Sequence, residues 1–138
     1  MAVGLSVRST VWPVGTGDFF HAFFSTVSAR LEPDGWGTRF PVLMNELYGG
    51  ELAADHAASA LAELDQVRGE LRRLPPSDVV WDVEDRAEQP PWGDDLSEEI
   101  TDLGNYFVTE DGKDLIETAA EAIAEAGRAG APLRVEPL

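Results

Sequence analysis

The sequence predicts an α+β fold, a single domain in which a small sheet of about four strands packs against several helices. Three observations predict it. Short runs alternate apolar and polar residues with period two, as half-buried strands do, and longer runs repeat apolar residues at the three-and-four spacing of amphipathic helices. Proline and glycine pairs punctuate the chain between these runs. With 138 residues, 43% of them hydrophobic, the chain can build one core and is short for two domains, so residues 1–138 read as one unit.

Taken in order, Ala2 to Ser9 puts Val3, Leu5 and Val7 on one face of a first strand, and a loop through Pro13 and Gly15 follows. Asp18 is placed to cap a helix whose Phe19, Phe20, Phe23, Phe24, Val27 and Leu31 make a broad aromatic stripe. The segment Gly15-Thr16-Gly17-Asp18 lies between strand and helix, where a phosphate-binding glycine loop would sit. It fails as one: the third glycine position falls on Phe20, no Walker lysine follows, and Asp18 puts negative charge where the anion would bind. It reads as a turn and a cap.

Beyond Glu32, Pro33-Asp34-Gly35 and Gly37 break the chain. Pro41 opens a short helical segment with Phe40, Leu43, Met44, Leu47 and Tyr48 on one face, and Gly49-Gly50 stop it. A longer helix is expected from about Ala53 to Leu74, with Ala57, Leu61, Leu64, Leu71 and Leu74 inward, ended by Pro75 and Pro76.

The stretch DVVWDVEDRAEQPPWGDD, residues 78–95, holds two of the four tryptophans and seven carboxylates. Its alternation predicts a strand with Val79, Trp81 and Val83 packed on one face and Val80, Asp82 and Glu84 on the other. Pro90 and Pro91 then force an irregular acidic loop ending at Trp92 and Gly93. Next, Asp95-Leu96-Ser97-Glu98 has the form of a capping box opening a short helix that buries Leu96, Ile100 and Leu103. Tyr106 to Thr109 reads as a strand. Thr109 or Asp111 is placed to cap a last helix from Lys113 to about Ala126, with Leu115, Ile116, Ala119, Ala120 and Ile123 inward. Residues 126–138 form a tail in which Leu133 to Glu136 adds an edge strand.

Charge narrows the function. The chain has 26 acidic and 10 basic residues, a net charge of −16. Residues 78–111 carry −11 of it, because Arg86 is their one base against twelve acids. Such a field repels nucleic acid and anionic membranes, favours a basic protein partner or cations, and also keeps a protein soluble. The absence of cysteine excludes disulfides, thiolate zinc sites and cysteine nucleophiles, and fits a reducing compartment. With no signal-peptide pattern and no 18-residue apolar segment, a soluble cytoplasmic protein is expected.

Three classes of function compete. An enzyme would rest on the carboxylates: Asp82 and Glu84 on one strand face are near enough for the roughly 5 to 9.5 Å of a glycosidase pair. Against it, His21 and His56 lie on separate helices with no partner at ligand spacing, no GxSxG elbow occurs, and Ser25, Ser28 and Ser59 sit within helices. A cation-binding protein would use Glu110-Asp111-Gly112 and Asp94-Asp95, which lack the regular spacing of an EF-hand loop. The third class, a binding protein, is preferred, with no catalytic residue, metal ligand or cofactor assigned. Its candidate partner-binding residues are Asp82, Glu84, Asp85, Glu88, Trp92, Asp94 and Asp95, on a loop of the kind that carries recognition when rigid elements hold it.

The runs DFFHAFFSTVSARLE, FPVLMNELYGGEL, VVWDVEDRAEQPPWGDD and GNYFVTEDGKDL, in this order and spacing, resemble the immunity protein 70 family of bacterial polymorphic-toxin systems. The resemblance spans about Val3 to Glu125, with the VVWDVED to PPWGD run its most distinctive part, and leaves the tail GRAGAPLRVEPL outside it. It implies a small cytoplasmic protein, made beside a toxin, that binds and neutralises the toxin without doing chemistry. It supplies no toxin-contacting residues. The net charge of −16 then suggests a basic toxin such as a nuclease, whose substrate groove an acidic surface could occupy, or equally a basic patch away from the toxin's active site.

Overall fold

The structure is a computed structural model that describes residues 2–93 and 95–138; Asp94, one of the candidate partner-binding residues, lies outside the described residues. Strands β1 (Ala2–Val7) and β2 (Thr10–Thr16) form an antiparallel hairpin turned through Arg8 and Ser9. Arg8 takes a positive φ of 55°, and its guanidinium bonds the Ala129 carbonyl at 2.9 Å. Helix α1 (Gly17–Leu31) leaves β2 without a break. A π-helical segment (Val42–Leu47) leads to β3 (Glu51–Leu52), and then come α2 (Ala57–Leu71), α3 (Leu115–Ala129) and β4 (Leu133–Pro137). The four strands make one antiparallel sheet in the order β2-β1-β4-β3.

The α+β architecture and the four-stranded sheet are as the sequence predicts, but two of the strands are different ones. Residues 10–16, expected as a loop, form β2. Pro13 is tolerated there because β2 is an edge strand, and the register slips opposite Val3 and Gly4 so that Val14 bulges out of the pairing. The bulge turns the Val14 carbonyl to the Glu110 N–H at 2.8 Å. The tail strand is not at an edge: β4 pairs with β1 on one side and β3 on the other, and Leu133 is fully buried.

Val79 to Glu84 belongs to no strand, and neither does Tyr106 to Thr109, which makes only an isolated bridge between Val108 and Asp114. Residues 96–103 form turns rather than a helix. Asn105 accepts the N–H groups of Thr101 and Asp102 and donates to the Glu99 carbonyl, so side-chain bonds replace the helical ladder there. Leu103 is nevertheless fully buried, as its spacing predicts, with Leu96 and Ile100 half-buried.

Helix ends also shift. Thr16, not Asp18, caps α1 by accepting from Phe19 N–H at 3.1 Å, and Asp114, not Thr109 or Asp111, caps α3 through Glu117 N–H. The segment after Pro41 is wound as a π-helix, its first N–H groups held by the Glu63 carboxylate. The long second helix begins only at Ala57, after a 3₁₀ turn at Ala54–His56, and closes at Leu71. The core joins Leu5, Val7 and Val14 of the sheet to the phenylalanines of α1, Phe40, Phe107 and the inner faces of α2 and α3.

Candidate functional site

The acidic stretch is strapped along α1. Arg30 Nε donates to the Asp78 carbonyl at 2.8 Å, Thr26 Oγ1 bonds both the N–H and the carbonyl of Val80, and His21 Nδ1 lies 3.9 Å from Asp82. The chain therefore runs antiparallel to α1 from its last turn toward its first. Val80 and Trp81 are both buried, so the expected separation of a packed and a charged face does not hold, although Trp81 lies in the core as its position predicted.

From Asp82 onward the backbone folds into consecutive turns. Asp82 accepts the Glu84 N–H at 2.9 Å and Asp85 accepts the Ala87 N–H at 3.1 Å, while backbone bonds join Asp85 to Asp82 and Glu88 to Asp85. Aspartate here fixes its own turn with one carboxylate oxygen. Glu84, Asp85 and Glu88 are exposed.

The far end of the loop is pinned by an aromatic chain. Trp92 meets Trp81 edge-to-face at 5.3 Å between ring centroids and donates from Nε1 to Tyr106 Oη at 2.9 Å. Tyr106 packs on Phe107, which packs on Phe23 of α1. Burial raises the Tyr106 pKa, with the Trp92 bond acting the other way. Trp92 keeps 37% of its surface exposed.

The candidate residues are thus distributed around a ridge. Asp82, Asp85 and Glu88 meet Asp18, His21 and Trp81 in one acidic concavity. Glu84 faces the side of the first turn of α1 where Trp36 and Tyr48 lie. Burial first, then the charges of Glu84 and Asp82, raises the Tyr48 pKa. On the other side of the Trp81–Trp92 pair, Trp92 and Asp95 border an apolar groove of about 280 Å³ with Phe19, Leu96, Ile100, Tyr106 and Val108.

Sequence reasoning missed Asp18, His21 and Tyr48 as members of this region, because α1 and the π-helical segment bring them to it from far along the chain. Both histidines also acquire carboxylate neighbours across distances no spacing rule covers: His21 has Asp82, and His56 lies 2.7 Å from Glu46, which raises its pKa through a hydrogen bond and charge. Asp82 and Glu84 do not face each other across a cleft but follow one another in a single turn. Asp111 is tied to Thr109 in the turn before α3.

Among the described residues, no group of three or more His, Asp or Glu side chains is placed to hold a metal ion, and no helix is long and apolar enough to cross a membrane. No curated protein and no solved structure shows significant similarity to the chain. The model of one family does match, "Immunity protein 70", over residues 5–135. That match takes in the acidic loop, its anchors on α1 and most of β4, the strand that the resemblance in sequence left out. The chain belongs to the Immunity protein 70 family.

Proposed function

We propose that the chain is an immunity protein that binds and neutralises a cognate toxin in the cytoplasm, and that the acidic face between Asp82 and Asp95 meets a basic surface of that toxin. One observation carries this reading. Among the described residues, His21 is the only basic group within 4 Å of a carboxylate of this loop, and no arginine or lysine reaches one as Arg39 reaches Glu70, Arg68 reaches Asp114 and Arg134 reaches Glu51. A run of outward carboxylates held on fixed turns and left without cations is arranged to attract a positive partner. A nuclease, with a groove built for phosphates, fits that description.

The reading assigns no chemistry to the chain. Its support is the turn geometry, which uses Asp82 to hold the Glu84 N–H rather than to oppose a second carboxyl. Reproducible hydrolysis abolished by Asp82→Asn or Glu84→Gln would replace it with a carboxylate-dependent hydrolase. A melting temperature that rises with calcium would favour a cation-binding protein.

The test is stopped-flow association of the toxin domain encoded beside the chain with wild type and with the double variant Glu84→Lys, Glu88→Lys. Wild type should associate fast at low salt, toward the 10⁸ to 10⁹ M⁻¹s⁻¹ that steering allows, against about 10⁵ to 10⁶ for a neutral interface. The double variant should lose most of that advantage and most of the salt dependence. Identical on-rates for the two proteins at every salt concentration would remove the acidic face from the interface.

A further inference from the structure

We infer that the apolar groove beside Trp92 receives one large apolar side chain of the toxin, carried on a segment with lysine or arginine next to it; this deepens the proposed function and rests on it. The groove is open to solvent although its walls are apolar. Val108 is 45% exposed and Trp92 37%, while Phe19 and Tyr106 are buried beneath them and Leu96 and Ile100 close the sides. Apolar surface gathered in a concavity with a polar rim marks a place where a partner's side chain leaves water.

Charge selects the occupant. Asp95 borders the groove, Glu98 and Glu99 are exposed on the same segment, and Asp85 and Glu88 stand on the other side of the tryptophan ridge. Arg86 is the one base between Asp78 and Asp111. A second copy of this chain, itself at −16, would bring like charge to that rim with any apolar residue it offered. A basic segment gains on both counts: its cations meet the rim, and its apolar residue fills the groove. An apolar side chain seated in the groove would be desolvated beside Asp95, with Asp85 and Glu88 across the tryptophan ridge, and a buried anchor of this kind carries much of the binding energy.

The experiment uses two groove variants with the toxin domain encoded beside the chain. Val108→Glu puts a charge of the rim's own sign on the apolar wall, and Ser97→Trp fills the groove with the protein's own side chain. Both positions are exposed, so melting temperatures should stay close to wild type. Each variant should raise the off-rate about tenfold or more with no fall in on-rate or salt dependence. Wild-type off-rates in both, together with slowed association by the Glu84→Lys, Glu88→Lys protein, would overturn the groove and leave the acidic face standing. No change in any variant, charged or apolar, would overturn both. A wild-type dimer in sedimentation that Val108→Glu dissociates would overturn the toxin as occupant in favour of a second copy.

Discussion

Thr26 holds Val80 at both polar ends: its Oγ1 lies 3.1 Å from the Val80 nitrogen and 3.1 Å from the Val80 oxygen, with the Ala22 carbonyl at 2.9 Å sharing the hydroxyl proton. A sheet would satisfy those two backbone groups with a neighbouring strand. Here one threonine on a helix does it, inside the core.

Thr26→Val keeps the shape of that side chain and removes both bonds, leaving a buried N–H and a buried carbonyl without partners. Each such group costs about 1 to 3 kcal/mol. Because the loop can relax toward water, the expected loss is about 2 to 4 kcal/mol in urea unfolding, with Thr26→Ser retaining most of the stability. A Thr26→Val protein as stable as wild type would mean that the Arg30–Asp78 bond and the aromatic end hold the acidic stretch without Thr26.

The stretch alternates in sequence without being a strand. Asp78, Val80 and Asp82 touch α1 at Arg30, Thr26 and His21, so every second residue meets the helix at steps of four or five. Asp78 closes a 3₁₀ turn and the chain bends at Trp81, which buries Trp81 beside Val80 instead of on an opposite face. The strands that were missed fail for opposite reasons: β2 hides behind Pro13 and Gly15, and β3, Glu51–Leu52, is too short to show any period. Helical stripes and the acidic loop's exposure were legible because they are local. The neighbours of that loop, Asp18, His21 and Tyr48, depend on tertiary packing and left no local signal.

Glu32 is 3% exposed, and its two carboxylate oxygens accept the N–H groups of Gly37, Arg39 and Phe40. It sets the turn that brings Trp36 against Tyr48, at 5.3 Å between rings. In Glu32→Gln one oxygen becomes an NH₂ group, so at least one of those backbone donors faces another donor. The expected cost is about 1 to 3 kcal/mol, read from chemical denaturation, with a change in near-ultraviolet circular dichroism from Trp36. Unchanged stability and spectrum would show that the turn is set without the carboxylate.

Arg39 grips Glu70 through two bonds of 2.7 and 2.6 Å, and this guanidinium, before Gln66, holds the Glu70 carboxyl below its ordinary value of 4.5. A carboxyl with a lowered folded pKa contributes stability that is complete above its unfolded pKa and is lost as pH falls through the folded one. Both side chains are about a third exposed, which limits the pair to about 1 kcal/mol or less. Glu70→Gln should therefore be slightly less stable than wild type at pH 7, and the gap should close as pH falls below 4.5. Urea melts of the two proteins between neutral and acid pH measure it; a gap that persists in acid would assign the effect to packing rather than charge.

Trp92 has two roles that a single truncation would confuse. Its ring is the exposed face of the ridge, while its Nε1 proton is given to the buried hydroxyl of Tyr106. Trp92→Ala removes both, and as a central anchor it should cost at least about 2 kcal/mol of binding, roughly thirtyfold in off-rate. Trp92→Phe removes the bond and keeps a ring against Trp81. The bond is worth about 1 kcal/mol of folding stability, so the phenylalanine variant should unfold slightly earlier than wild type while keeping most of the toxin's residence time. Neither substitution changes net charge, so the salt dependence of association should match wild type in both. An off-rate for Trp92→Phe as fast as for Trp92→Ala, with both proteins folded by circular dichroism, would show that Trp92 acts by fixing Tyr106 and the loop rather than by contact of its ring with the toxin.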